Sequence, residues 1–399
     1  MAMIWLLRLQ EPKSRSRLRP LFLPHKGMYM NGLTWIAITL KVLAYLALAA
    51  IALLAFGFLL VAIRSPGTPR PFTDASGKLL PRSISEKGSV SIRGAELGYF
   101  IKGRDVNAPI LLYLHGGMPD YFLTERYPSG LDGLFTVVWL DQRGAGLSYD
   151  PARDGDSIGI SDMVKDILAF TAYLKERFAR DTIYLMGHSG GSYLGIKVIE
   201  AQPEAFAAYI GVAQIANQKL SEKLAYEYIV AAYADRPDRK RIYDALIREP
   251  LTLEAALPQA YLRYRDYAMH ELGVGTMRDM NSVVTGLFLP SLLFTEYTLA
   301  EKIKLWRAKA NSGISALWTD MIERELASES LSFKVPVYFL HGVHDYTCSF
   351  ELTKAYYDRI DAPAKGFFAF SDSAHSPIFE QPDDCLAIIR ERILPKAGQ

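Results

Sequence analysis

The stretch TIYLMGHSGGSYLGIKVIEA, residues 182–201, places Ser189 between glycines where a strand-like run gives way to a helix-like run. The apolar run covers residues 182–186, and the helix-like run covers residues 192–201. A serine in a strained strand-to-helix turn leaves no room for side chains beside it, which explains the glycines. This G-x-S-x-G pattern predicts a nucleophilic serine. The alternative is an ordinary glycine-rich turn.

A serine hydroxyl is a weak nucleophile and needs a base, which in turn needs an acid to hold its tautomer. His375 in SDSAHSP is the predicted base, with a capping or packing histidine as the alternative. Asp345 in HGVHD directly follows the strand-like run 335–340 and is the predicted acid. Asp372, three residues before His375, is the rival. The chain order Ser189, Asp345, His375 resembles that of the α/β-hydrolase triad.

Acyl transfer also needs donors for a developing oxyanion. His115-Gly116-Gly117 follows the strand-like run 110–114 directly, which is the position of a loop that supplies one backbone N–H. We therefore predict Gly117 and Gly190 as the two oxyanion donors. A plain turn is the alternative for residues 115–117.

The chain from about residue 83 alternates short apolar runs with longer segments of helical period, such as the apolar face of residues 164–178. This alternation predicts an α/β fold, a mostly parallel sheet flanked by helices, over residues 83–216 and 333–399. Residues 217–332 have few strand signals and are predicted to form an inserted helical lid. The strand-like runs are residues 110–114, 136–140, 182–186, 335–340 and 366–370.

Residues 42–63 carry no charge, and a run of about 20 apolar residues spans the ~30 Å hydrocarbon layer. We predict one transmembrane helix here, with a buried core helix or a cleaved signal peptide as alternatives. Residues 1–41 form a basic leader that favours a cytoplasmic N-terminus and a non-cytoplasmic catalytic domain. Starts at Met28 or Met30 would remove six basic residues and leave sidedness open. Residues 64–82, rich in Pro and Gly, are predicted to form a stalk.

Charge and cysteine content restrict the partners. With 45 Lys and Arg against 43 Asp and Glu, the net charge of +2 gives no basic field for nucleic acid. His341 and His344 beside Asp345 lack further ligands, so no metal is predicted, and no organic cofactor is implied. Cys348 and Cys385 could form one bridge in an oxidising compartment, which leaves the compartment open.

Three segments resemble the proline iminopeptidase group of α/β-hydrolases over roughly residues 83–394: HGG at 115–117, DQRGAGLS at 141–148 and AHSPIFEQP at 374–382. The resemblance implies Ser189 as nucleophile, His375 as base and Asp345 as orienting acid. The sequence departs from that group in HGGMPD, where the group has HGGPG, and in GHSGGS, where it has GGSWGS. Gly190 thus stands where those peptidases have Trp.

Those peptidases resemble one another in gripping the substrate's free amine with lid carboxylates. Glu296 in the predicted lid and Asp120 near the oxyanion loop are the predicted substrate-binding residues; Glu254, Glu271 and Glu301 are further candidates, and solvated helix charges are the alternative. The sequence therefore predicts a membrane-anchored serine hydrolase that cleaves an ester or amide of a small molecule or short peptide. A serine at position 189 argues against the branches that use an aspartate ester. A non-catalytic binding or sensor protein is the alternative function.

Overall fold

Eight strands form one sheet in the computed structural model, which describes residues 32–152, 158–311 and 315–397. Their order is β1-β2-β4-β3-β5-β6-β7-β8. The pairs β1–β2 and β2–β4 are antiparallel, and all pairs from β4–β3 onward are parallel. The strands are β1 Ile84–Ile92, β2 Ala95–Gly103, β3 Ile110–Leu114, β4 Thr136–Leu140, β5 Ile183–His188, β6 Phe206–Val212, β7 Val337–Gly342 and β8 Lys365–Phe370.

The five predicted strands are confirmed as β3, β4, β5, β7 and β8, with ends that differ by at most two residues. Three strands escaped the sequence prediction. β1 reads ISEKGSVSI and is mostly polar, because one edge of the sheet needs no apolar face. β6 reads FAAYIGV, and its small residues give little strand signal although it is central and almost wholly buried.

Helices cover both faces of the sheet and also fill the long connection between β6 and β7. The helices are α1 Gly32–Ile63, α2 Ile160–Phe178, α3 Gly190–Ala201, α4 Gln218–Tyr233, α5 Lys240–Arg248, α6 Gln259–Glu271, α7 Leu289–Leu293, α8 Leu299–Asn311, α9 Ser315–Glu323, α10 Leu326–Glu329, α11 Phe350–Arg359, α12 Pro377–Glu380, α13 Pro382–Ile388 and α14 Leu394–Ala397. A π-helical turn, Val284–Phe288, leads into α7. Another, Ile389–Ile393, joins α13 to α14.

The alternating side chains of the strands pack into two cores, one on each face of the sheet. Leu112 of β3 packs with Phe170 and Leu174 of α2 on one face. Tyr113, the next residue, packs with Trp139 on the other face. Because alternate side chains pack on opposite faces, the position of each strand in the sheet is fixed. The loops that carry the polar residues follow the carboxyl ends of these strands.

Helices α4 to α10 lie between β6 and β7 in the chain, and we call them the helical insert (residues 218–329). The segment predicted as a stalk packs against this insert instead of standing free. Pro66 forms a β-bridge with Thr298, and the Gly67 N–H donates to the Thr295 carbonyl at 3.1 Å. Gly67 has φ +73° and any Cβ there would meet the Thr298 side chain, so glycine allows this close approach.

The described chain forms two compact units that divide between Phe58 and Leu59 within α1. The transmembrane helix was predicted to start at residue 42, but α1 begins ten residues earlier because residues 32–41 are helical as well. Thr34–Ile63 has 30 residues, and its most apolar 18-residue window has a mean hydropathy of 2.9 and is not buried at all. Its length and composition are sufficient to cross a bilayer. The predicted leader up to residue 31, with Met28 and Met30, lies outside the described residues.

Candidate active site

Ser189 occupies the turn between β5 and α3 with φ 56° and ψ −124°, a conformation that non-glycine residues rarely adopt. The neighbouring chain leaves no space for side chains on either side. A Cβ on Gly187 would meet the Gly191 carbonyl, and a Cβ on Gly191 would meet the carbonyl of Leu114. The strand and helix predicted on either side of Ser189 are therefore present, and packing enforces the strained turn between them.

Gly116 lies directly against Ser189. A Cβ added at Gly116 would lie 2.6 Å from the Ser189 Cβ and 3.0 Å from its Oγ. The loop that holds Gly116 is fixed by His115, whose Nδ1 lies 2.9 Å from the Gly116 carbonyl oxygen and whose Nε2 accepts the Gln142 N–H at 3.1 Å. Burial lowers the pKa of His115 to about 4, so the ring stays neutral, as these two bonds require. Gln142, from the DQRG segment, thus supports the loop beside Ser189.

His375 and Asp345 are in direct contact, with His375 Nδ1 2.9 Å from Asp345 Oδ2. The other carboxylate oxygen of Asp345 accepts the N–H groups of Thr347 at 2.8 Å and Cys348 at 2.9 Å. Burial would raise the pKa of Asp345, but the charge of His375 and hydrogen bonds from both neighbouring histidines, the second being His341, hold it well below its usual range. The acid is therefore ionised and oriented.

Asp372 does not contact the His375 ring: it is exposed, and its carboxylate accepts a hydrogen bond from Ser371. Burial lowers the pKa of His375 below its ordinary value, which favours the neutral ring that a base requires. Among the described residues no hydrogen bond joins the Ser189 hydroxyl to His375, although both line one cavity. Such contacts are often long in ligand-free enzymes and tighten when substrate binds.

A cavity of about 230 Å³ contains Ser189 and His375. Asp120 and Gly117 also line it, as do Arg265, Asp266 and Lys309, three charged residues of the helical insert that carry no motif in the sequence. Lys309 Nζ donates to the Gly117 carbonyl at 3.1 Å. Gly190, the second predicted oxyanion residue, is the first residue of α3, directly after Ser189. The insert therefore supplies both signs of charge to the cavity.

Asp120 and His188 form a second buried acid–histidine pair beside the first. Asp120 Oδ2 accepts the Tyr113 hydroxyl at 2.7 Å and lies 3.1 Å from His188 Nδ1. His188 Nε2 lies 3.0 Å from the His375 carbonyl oxygen, so both ring nitrogens face acceptors, an arrangement that favours the protonated ring. Burial is the largest single effect and lowers the pKa of His188, but the hydrogen bond and charge of Asp120, the His375 carbonyl and the charge of Asp345 together raise it above the ordinary value. Asp120 Oδ1 is buried and has no partner within the described ranges.

Glu296, the other predicted substrate-binding residue, does not line this cavity. It is buried in a separate pocket, where its carboxylate accepts the Tyr121 hydroxyl at 2.8 Å and Lys102 Nζ at 3.3 Å. These bonds compensate the charge of a buried carboxylate, which gives Glu296 a structural role. Glu271 and Glu301 are likewise paired, with Arg239 and Lys87 respectively, whereas Glu254 is exposed.

Cys348 was not singled out as a site residue in the sequence. Its Sγ, one oxygen of Asp345 and one nitrogen of His375 lie within 4.8 Å of one another, a spacing that could hold a metal ion. Burial raises the pKa of the Cys348 thiol well above its ordinary value, whereas metals bind the thiolate. Asp345 and His375 are already bonded to each other, so the triplet fits a cation poorly.

The mostly parallel sheet and the serine on its strand-to-helix turn define the α/β-hydrolase class. A family model described as "Serine aminopeptidase, S33" matches residues 131–243. "Probable aminopeptidase YbaC" of Bacillus subtilis (strain 168) is 33% identical over 309 residues, which cover 75% of this chain and 94% of that protein. The chain belongs to the same family as this relative within the α/β-hydrolase superfamily, and it is an α/β-hydrolase enzyme.

Solved structures agree with the fold. The proline iminopeptidase-related protein TTHA1809 from Thermus thermophilus is 20% identical with a TM-score of 0.55, over 79% of this chain and 99% of that chain. Proline iminopeptidase from Mycobacterium smegmatis is 17% identical with a TM-score of 0.57, over 78% and 99% respectively. The predicted α/β-hydrolase fold is confirmed, and the enzyme prediction is favoured over the non-catalytic alternative.

Proposed function

We propose that the protein is a membrane-anchored serine hydrolase of the aminopeptidase type, which cleaves an ester or amide through an acyl-enzyme. Ser189 is the nucleophile, His375 the base and Asp345 the orienting acid. The observation that carries this proposal is the 2.9 Å contact between His375 Nδ1 and Asp345 Oδ2 at the cavity that contains Ser189. No metal or organic cofactor takes part in it.

The His375–Asp345 bond decides how the proton moves. Because Nδ1 donates to Asp345, the lone pair of Nε2 is free to accept the Ser189 hydroxyl proton as Oγ attacks the carbonyl carbon. The imidazolium then gives this proton to the leaving amine or alcohol, and the acyl group stays on Ser189. A water molecule, deprotonated by the same histidine, attacks the acyl-enzyme and releases the acid. Asp345 stabilises the imidazolium in both steps.

The backbone N–H groups of Gly117 and Gly190 are the proposed donors to the oxyanion. Gly190 opens the 12-residue helix α3, where the helix dipole adds partial positive charge. Gly117 belongs to the loop that His115 and Gln142 hold against Ser189, and Lys309 bonds its carbonyl. Donors fixed in this way need no rearrangement as charge develops on the substrate oxygen.

Asp120 supports a substrate with a free amino group. Its Oδ1 is a buried carboxylate oxygen at the cavity wall with no partner among the described residues, and such an oxygen is costly to leave unpaired. An ammonium group bound there would satisfy it. Asp266, which also lines the cavity and accepts Arg265 Nη1 at 2.9 Å, is a second carboxylate there. These carboxylates agree with the printed aminopeptidase description of the relative.

Membrane anchoring is proposed through α1, with the hydrolase on the non-cytoplasmic side. The length, hydropathy and exposure of Thr34–Ile63 support the anchor, and the basic leader supports the sidedness. Alkaline carbonate extraction of membranes that contain the full chain tests the anchor. An anchored protein should stay in the membrane pellet. Protection of residues 83–399 from protease added to intact cells would contradict the proposed sidedness.

A fluorophosphonate probe tests the chemistry. The full chain should be labelled, and Ser189→Ala should abolish labelling because the probe needs the activated hydroxyl. Ser371→Ala, the same change at an exposed serine of the His375 loop, is the matched control and should keep full labelling. Labelling that survives in Ser189→Ala would refute the assigned nucleophile.

A further inference from the structure

The helical insert presents a group of exposed apolar side chains along the π-helical turn, α7 and the neighbouring part of α8. We call this group the apolar face; its members, with the exposed fraction of each, are Val284 56%, Phe288 37%, Leu289 43%, Leu293 42% and Ile303 53%. A groove lined by Phe288, Leu292, Ile303 and Trp306 runs between the two helices and connects Phe288 with Ile303, and the other three members are close to Phe288 in sequence. Single exposed apolar residues are ordinary, but a continuous group marks a contact surface.

Lys302 fastens this region to the chain that leaves α1. Its buried ammonium donates to the Arg64 carbonyl at 2.8 Å, the Ser65 hydroxyl at 2.8 Å and the Leu292 carbonyl at 2.7 Å. Arg64 directly follows Ile63, the last residue of α1. All these residues belong to the compact unit that begins at Leu59. One side chain therefore bonds both the end of the apolar helix and the end of α7.

This clamp fixes the depth of the apolar face. In a chain that crosses the bilayer through Thr34–Ile63, the charged Arg64 marks the level of the headgroups. Groups within hydrogen-bond distance of Arg64 lie at that level as well. Leu293 and Ile303 are the sequence neighbours of the clamped Leu292 and of Lys302, so the apolar face begins at the membrane surface.

We propose that the apolar face is seated in the interfacial region of the bilayer beside the exit of α1; this inference rests on the proposed membrane anchoring. Two basic side chains border it in positions that suit anionic lipid headgroups. Arg307 lines the groove with Ile303, and Arg126 donates to the Thr285 carbonyl next to Val284. Apolar residues bordered by arginines are the composition of an interfacial membrane helix.

The reverse side of the same segment forms part of the catalytic cavity. Val283, Leu287 and Trp306 line the cavity that contains Ser189, and Trp306 also lines the groove, in an edge-on contact with Phe288 at 4.9 Å. A single layer of side chains thus separates the lipid-facing surface from the substrate cavity. Substrates that partition into the bilayer surface are therefore the class that this arrangement favours.

Fluorescence in lipid vesicles tests the seating. Leu289→Cys and Ile303→Cys are labelled with an environment-sensitive NBD probe in the full chain, and Leu262→Cys, exposed on α6 of the same insert, is the control. Both native cysteines are buried, and the unsubstituted chain gives the labelling background. In phosphatidylcholine–phosphatidylglycerol vesicles we expect a blue shift at positions 289 and 303 and quenching by nitroxide-labelled lipids, with neither at 262.

If the NBD emission wavelengths at positions 289 and 303 match that at position 262, the proposal is overturned. A blue shift without quenching by the lipid nitroxide would also overturn it, since the face would then contact protein. Carbonate extraction of the same samples separates the two failures. Chain that is lost from the vesicles refutes the anchor itself, whereas retained chain without quenching refutes only the seating of the apolar face.

Discussion

The rings of His188 and His375 lie with their centroids 5.1 Å apart, and His188 Nε2 donates to the backbone carbonyl of His375. A histidine whose surroundings favour its protonated form is thus held beside the proposed base. Burial is the main cause that lowers the pKa of His375, and the charge of His188 lowers it further, while Asp345 opposes both. The base therefore stays neutral, and hence competent, at a lower pH than an ordinary histidine.

His188→Gln should shift the acid side of the pH profile. Activity is lost as His375 becomes protonated. The wild-type kcat/KM should therefore fall only below about pH 6.5, the ordinary pKa of histidine. Removing the His188 charge should raise the pKa of His375 and move this inflection to higher pH. The profile is measured with a neutral ester. His344→Gln is the control, and equal inflections in both variants would contradict the electrostatic role.

Asp345→Asn should lower kcat by about 10³–10⁴-fold, because an amide in place of the carboxylate favours the wrong tautomer of the base. The fold should persist, since Oδ1 can still accept the N–H groups of Thr347 and Cys348. Asp372→Asn, the rival position in an exposed turn, should stay near the wild-type rate. Steady-state ester hydrolysis distinguishes them, and a reversed order of effects would assign the acid to Asp372.

Gly116→Ala should reduce kcat by about 10²-fold, since a displacement of about 1 Å at the reacting atoms costs this much. The new methyl would lie 2.6 Å from the Ser189 Cβ and would push the serine or its loop aside. Gly133→Ala, where a Cβ meets nothing within 4 Å, is the matched control. Rates of fluorophosphonate labelling check both variants, and an unaffected Gly116→Ala would show that the loop moves freely.

Asp120→Asn should raise KM for aminoacyl p-nitroanilides with a free amine by about tenfold, the equivalent of about 1.4 kcal/mol. N-acetylated analogues lack the ammonium group and should show little change in KM. Comparing the two substrates within one variant cancels any effect through His188, which would alter kcat for both. An equal change in KM for the two would place amine recognition elsewhere, with Asp266→Asn as the next variant.

Because of Asp141, the free energy of unfolding should decrease as the pH rises. Burial raises the pKa of Asp141 to about 8, whereas in the unfolded chain it ionises at about 3.9. The unfolded state therefore loses its proton first, and the free energy of unfolding falls between these values. Asp141→Asn should remove this component. Thermal unfolding of the detergent-solubilised chain at pH 5, 7 and 9 measures it, and parallel pH trends would contradict the assignment.

Local patterns were sufficient to predict that Ser189, Asp345 and His375 lie near one another, because each follows a strand-like run and the carboxyl ends of parallel strands meet at one edge of the sheet. The insert offered no such rule. The direction in which Glu296 points depends on Lys102, a partner 194 residues away in the chain. The position of Lys309 likewise depends on a distant partner, the Gly117 carbonyl. The proline-rich segment 64–82 likewise reads as a free stalk until its bridge to Thr298 is seen.

The bonds from Lys302 to Arg64 and Ser65 hold the residues that follow the proposed anchor helix against the hydrolase, so no flexible linker separates them. An enzyme on a flexible linker sweeps a volume that grows with linker length, and it can find targets above the membrane. In a membrane-anchored enzyme whose first residues beyond the anchor are clamped, the radius of search above the surface is close to zero. Encounters then depend on diffusion in two dimensions, so the rate should follow the surface density of substrate and not its bulk concentration.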